Sequence, residues 1–65
     1  DLQITGFDLN GDRSLTVQHR LHRKRPLSKE SDIVLRHLQR LWGFDMHLET
    51  IKEDGTLADK KTFAA

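Results

Sequence analysis

At 65 residues the chain holds one small domain and is too short for two; such a domain buries only about 60% of the surface its unfolded form exposes. It has no cysteine, which excludes disulfide staples and thiolate metal sites and leaves packing to supply a stability of roughly 3–10 kcal/mol. Eleven Lys and Arg against ten Asp and Glu give a net charge of +1, which excludes a global attraction to nucleic acid, and the longest apolar run, Ile33 to Leu35, excludes a membrane-spanning helix or a signal peptide. These features suit a soluble globular domain of a reducing cytoplasm, and a first residue of Asp1 suggests a piece of a longer protein.

Leu2 and Ile4, then Phe7 and Leu9, alternate on either side of Gly6, which predicts a strand whose register shifts at a bulge. Asn10-Gly11 follows and predicts a hairpin with a type I′ turn, positive φ falling at both residues. Beyond it, Leu15, Val17, His19 and Leu21 alternate with Thr16, Gln18, Arg20 and His22, a period of two that predicts a second strand. Arg23 to Pro26 reads as a loop, since Pro26 forces Arg25 towards an extended conformation.

Ser28 and Ser31 are both candidate N-caps of a helix. Val34, Leu38, Leu41 and Trp42, with Leu35 beside them, then form one apolar stripe at helical spacing. Asp32, Arg36, Gln39 and Arg40 lie opposite, Asp32 and Arg36 forming an i,i+4 pair. Gly43 ends the helix, because glycine takes the left-handed C′ conformation without steric cost. Phe44, Met46 and Leu48 alternate with Asp45, His47 and Glu49 in a third strand running to about Lys52. Asp54-Gly55 repeats the hairpin signal, and Leu57 to Phe63 reads as a short, weakly specified edge strand.

The fold class is α+β: a single domain over residues 1–65 in the order ββαββ, its helix packed on one face of an antiparallel or mixed sheet. A crossover that sets the third strand beside the first gives the sheet order 2-1-3-4. The expected core is Ile4, Leu15, Val17, Val34, Leu38, Leu41, Trp42, Phe44, Met46 and Leu48, and loss of Trp42 to alanine is expected to cost ~3–5 kcal/mol.

Chemistry-bearing residues are sparse. Gln18 to Arg25 carries four cations, two histidines and no acid; His19, Arg20, His22, Arg23, Lys24 and Arg25, joined by Arg36 and Arg40 from the helix, form a candidate contact for a polyanion such as nucleic acid. Strand alternation splits these side chains between two faces, the four acids from Asp45 to Asp54 offer them partners, and no exposed aromatic platform exists for base stacking. A solvated or internally paired face is therefore favoured. His19, His22, His37 and His47 do not converge as a metal set, and no cofactor is expected. Asp8 with Asp12 read as turn residues, and Ser14 with His19 fall on opposite faces of one strand, so no catalytic arrangement is expected.

Two blocks, GDRSLT at Gly11 to Thr16 and HLQRLWGFD at His37 to Asp45, supported by RPL at Arg25 to Leu27, resemble the C-terminal region of the SpoVR-like (stage V sporulation protein R) family. The resemblance implies a bacterial cytoplasmic protein several times longer than this chain, from a family linked by name to sporulation. It brings no catalytic motif onto any residue here. The expectation is a non-catalytic interaction or packing domain that contacts the rest of its own chain or a protein partner, with the polyanion-binding module as the alternative.

Overall fold

The computed structural model describes residues 3–20 and 29–65. Its elements are β1 (Ile4–Leu9), β2 (Leu15–Arg20), α1 (Lys29–Trp42), β3 (Met46–Ile51) and β4 (Leu57–Phe63), the expected ββαββ. They form one mixed four-stranded sheet in the order β1-β2-β3-β4. The outer pairs are antiparallel and the central β2–β3 pair is parallel. The expected order 2-1-3-4 is thus corrected: the chain returns through α1 to lie beside β2, the strand it left. This places Leu15, Val17 and His19 opposite Met46, Leu48 and Thr50, so the two strands with the best buried alternation meet at the centre, as burial of parallel pairs requires. β1 and β4, which carry Thr5, Asp8, Lys60 and Lys61, take the edges, where charged and polar side chains discourage further strand addition.

In β1 the register shifts between Ile4 and Gly6, the expected bulge. It allows Ile4, opposite His19, and Phe7, opposite Val17, to share one face of the sheet although they are an odd three positions apart. The first turn differs from the type I′ expectation. Arg13 N donates to Asn10 O at 3.0 Å and Asn10 N to Ser14 O at 2.9 Å, while the positive φ falls on Arg13 (φ 70) and not on Asn10 or Gly11. The cause is Asp12, whose Oδ1 accepts from Ser14 N at 2.9 Å and Ser14 Oγ at 2.6 Å, closing an Asx turn that widens the loop. The second hairpin repeats this design. Asp54 Oδ1 accepts from Thr56 N and Oγ1, Lys52 N donates to Thr56 O, and Gly55 takes the left-handed position at φ 86.

Helix α1 begins at Lys29, so the Ser28 candidate cap precedes it and lies outside the described residues, while Ser31 falls within the first turn. Glu30 and Asp32 sit in the first turn and Arg40 in the last, each complementing the helix dipole. Gly43 ends it at φ 85, its N donating to Gln39 O at 2.9 Å. Asp32 does not pair with Arg36: it accepts from Lys61 Nζ of β4 at 2.7 Å, and the Arg36 guanidinium lies 5.4 Å from the centre of the Phe63 ring. Both contacts draw that flank of the helix over β4.

This rotation rewrites the expected core. The buried apolar cluster is Val17, Leu35, Met46, Leu48 and Phe63, with Ile4 and Leu15 packed against it. Leu35 is 0% exposed and, with Gln39, faces the sheet. Val34, Leu38, Leu41, Trp42 and Phe44 are exposed large hydrophobic residues and not core, Leu41 at 85%. Phe63, expected at the end of a weakly specified strand, is 1% exposed and anchors a seven-residue β4 paired along the whole of β3.

Candidate docking surface

The sheet is wider than its helix. Four strands spaced about 4.8 Å apart span roughly 14 Å between outer axes, whereas a helix with its side chains is about 10 Å across. With α1 drawn towards β4, the β1–β2 half of the same face is left uncovered by the described residues. There Phe7, Leu15, Val17 and Met46 floor an open groove of about 280 Å³, and Leu38, Leu41 and Trp42 of α1 wall it. Phe7 and Leu9 are more than half exposed. Among the described residues every lining residue is hydrophobic, and the one polar side-chain atom they carry, Trp42 Nε1, already donates to Arg13 O at 2.8 Å. Burying such a groove against another apolar surface is favourable by about 25 cal/mol per Å².

The groove closes at a corner where four contacts meet. Besides the Trp42–Arg13 bond, Leu15 N donates to Asp45 O at 3.0 Å. The Arg13 guanidinium lies 5.6 Å from the centre of the Phe44 ring, and Phe44 packs edge-on to Trp42. The two blocks GDRSLT and HLQRLWGFD therefore touch each other in space, through Arg13 and Leu15 from one and Trp42, Phe44 and Asp45 from the other.

The opposite face of the sheet is polar. An open depression of about 440 Å³ is lined by residues that include Asp8, Asn10, Asp12, Ser14, His47, Glu49 and Lys60. Several of its polar groups are engaged with neighbours: Asn10 Nδ2 donates to Ser14 Oγ and Thr16 Oγ1, Gln18 Nε2 to Glu49 Oε1, and His47 Nδ1 lies 2.9 Å from Thr62 Oγ1. The Ser14 hydroxyl and amide hold the Asp12 carboxyl below the usual carboxylate range, and the Thr56 hydroxyl and amide do the same for Asp54. These are turn carboxylates kept ionised by their own loops, the reverse of a proton donor or base poised near neutrality. Among the described residues no three His, Asp or Glu side chains cluster as metal ligands.

The candidate polyanion residues are dispersed. His19 is buried at 3% exposure, its Nε2 3.0 Å from Thr50 Oγ1 and its Nδ1 without a partner among the described residues. Burial pushes its pKa below the usual 6.5, and the Arg20 backbone opposes this without completing a hydrogen bond to Nδ1. Arg20 points to the other face of the sheet and donates through Nη2 to Glu53 O at 3.3 Å, the backbone carbonyl of one of the expected acids and not its carboxylate. Arg36 and Arg40 are exposed on α1, Arg36 against Phe63, on the helix side. His22, Arg23, Lys24 and Arg25 lie outside the described residues. Arg20 and the helix cations thus stand on opposite sides of the sheet.

Sequence reasoning assigned the groove residues to the core because apolar residues at helical spacing normally are core. The signal that separates them is the breadth of the apolar arc, wider than one helix buries on a sheet this small, together with Phe7 and Leu9 on an edge strand.

Comparison with known proteins agrees with the two blocks. The SpoVR-like C-terminal domain family matches residues 1–53. A protein of Escherichia coli (strain K12), named uncharacterized protein YcgB, is 47% identical over 57 residues, which cover 88% of this chain and 11% of that protein. The chain therefore spans about a tenth of the length of the curated relative it matches. No solved structure matches it, and no helix among the described residues is long and apolar enough to cross a membrane.

Proposed function

Since this chain belongs to the SpoVR-like family, in which it matches the C-terminal domain, we propose that it is a non-catalytic interaction domain that packs against the remainder of a longer cytoplasmic bacterial protein. The observation that carries this reading is the groove, an open apolar surface on the helix-bearing face of the sheet, lined by Phe7, Leu15, Val17, Leu38, Leu41, Trp42 and Met46. An interaction surface needs a desolvated apolar centre with few unsatisfied polar atoms, and the groove meets that description where the polar depression does not. The link of the family's name to sporulation would belong to the whole protein and act through this packing.

The test is co-elution. The 65-residue chain and the rest of the full-length protein, expressed separately, are mixed and run on a sizing column. Comigration is expected, and independent elution at concentrations well above micromolar removes the reading. The polyanion alternative is weighed by titrating the chain with nucleic acid at low and high salt. A phosphate-contacting surface weakens steeply as salt rises through counterion release, whereas indifference at ~50 mM salt, where such contacts are strong, is the result expected here.

A further inference from the structure

The groove also specifies what enters it. We propose that it receives an amphipathic α-helix from the part of the full-length polypeptide outside this domain, laid beside α1 so that two helices complete the layer over the four-stranded sheet. This rests on the docking reading above and adds to it the kind of segment and its seat.

The argument for a helix comes from the lining. An occupant lowered onto Phe7, Leu38, Leu41 and Trp42 finds no free side-chain donor or acceptor among the described residues of the groove, since Trp42 Nε1 is taken by Arg13 O. A strand or irregular segment there would bury backbone amides and carbonyls without partners, whereas a helix satisfies them internally. The position points the same way. The groove lies on the face of the sheet, in the layer already occupied by α1, and not along the hydrogen-bonding edge of β1, where an added strand would go. Its floor runs from Phe7 of β1 through Leu15 and Val17 of β2 to Met46 of β3, alongside α1. The exposed flank of α1 supplies the facing wall: at about 100° per residue, Leu38 and Leu41 stand roughly 60° and 120° around the helix from buried Leu35, turned towards the vacancy.

The argument for a tethered occupant comes from the length of the relative, about nine-tenths of which lies outside the matched region. A segment joined to the domain acts at an effective concentration in the millimolar range, so a modest apolar contact suffices to hold it. The segment needs apolar residues at i, i+3 or i+4, and i+7, with a polar opposite face.

The experiment places a photo-cross-linking residue, benzoylphenylalanine, at Leu41, at Phe7 and, as control, at Lys60 on the polar face of the full-length protein, using a mixture of isotopically light and heavy copies. Leu41 and Phe7 are largely exposed, so substitution leaves the fold intact, and Trp42 fluorescence verifies this. Cross-links from positions 41 and 7 are expected within the same light or heavy chain, on one upstream segment, at residues three or four apart, with position 60 giving none to that segment. Capture of an upstream segment at alternate residues, or at scattered ones, overturns the helix and leaves docking standing. Cross-links only between light and heavy copies, or none beyond this domain, overturn both.

Discussion

Truncation of Leu35 and of Leu41 to alanine, made separately, decides whether α1 is rotated as described. Leu35 is fully buried between the helix and the sheet, in contact with the cluster of Val17, Met46, Leu48 and Phe63. Removing three carbons there loses their transfer energy and leaves a cavity, together about 2–5 kcal/mol. Against a total of roughly 3–10 kcal/mol for a chain of this length, that is about a fifth of the stability or more, and it lowers the melting temperature by roughly 8 °C or more. Leu41 is 85% exposed, and its truncation in the 65-residue chain costs less than about 0.5 kcal/mol. Urea unfolding followed through Trp42, the single tryptophan, with circular dichroism as a second probe, measures both. If Leu41→Ala cost as much as Leu35→Ala, the helix would face the sheet with the stripe centred on Leu38 and there would be no groove.

Phe63→Ala is expected to cost about 3–5 kcal/mol, since the ring is buried at 1% exposure; a loss below about 1 kcal/mol in the same urea experiment, well under that range, would mean that β4 is not docked. Gly55→Ala, at φ 86, is expected to cost about 1–2 kcal/mol because an alanine resists the left-handed region. Gly11→Ala, with open space around its Cβ position and no positive φ, is expected to cost less than about 0.5 kcal/mol. Equal losses at the two glycines would restore the type I′ turn at Asn10-Gly11. The urea midpoint should fall with pH below the usual histidine value of 6.5, because buried His19 is held neutral in the folded state while the unfolded chain takes up the proton first. That stability is complete above the unfolded pKa and is lost as pH falls through the lower, folded one. His19→Leu should flatten this part of the profile and leave the decline below 3.8, where Asp12 and Asp54 protonate; an unchanged profile would place His19 in water.

The elements were legible because each carries a local signal. Gly6 marked the bulge, the alternation from Leu15 to His19 marked β2, and Gly43 marked the helix end with the φ it requires. Sheet order and helix rotation were not legible, since both depend on contacts distant in sequence. The choice of β2 over β1 as neighbour of β3 follows from matching Val17 with Leu48, which no window around either residue contains. The rotation follows from Lys61 holding Asp32 and from Phe63 lying under Arg36, partners supplied by a tail whose run from Ala58 to Lys61 looks like surface. The turn at Asn10-Gly11 misled for a similar reason: the dipeptide signal was sound, but Asp12 and Ser14 impose a wider loop that reappears at Asp54 and Thr56. For the candidate site, the cation-rich run was visible in sequence, while its division between the two sides of the sheet appears only once Arg20 and Arg36 are placed.

The apolar arc of α1 and the buried arc of α1 differ, and the difference has a physical meaning. A helix that buried its whole stripe on this sheet would be centred on Leu38, with Leu35 and Leu41 symmetric about it. Here the arc buried on the sheet runs from Leu35 to Gln39, and Leu38, Leu41 and Trp42 face the groove. Exposing so much apolar surface gives the domain nothing by itself, since a single large side chain fully removed from water contributes about 1.5–3 kcal/mol. The stripe is consistent with a helix that has two apolar neighbours, the sheet below and a second helix alongside. The sequence pattern records both contacts at once, whereas the 65-residue fold displays one of them. The corner of Arg13, Trp42 and Phe44 fixes the end of α1 against the start of β2, so the blocks GDRSLT and HLQRLWGFD meet at the end of the groove.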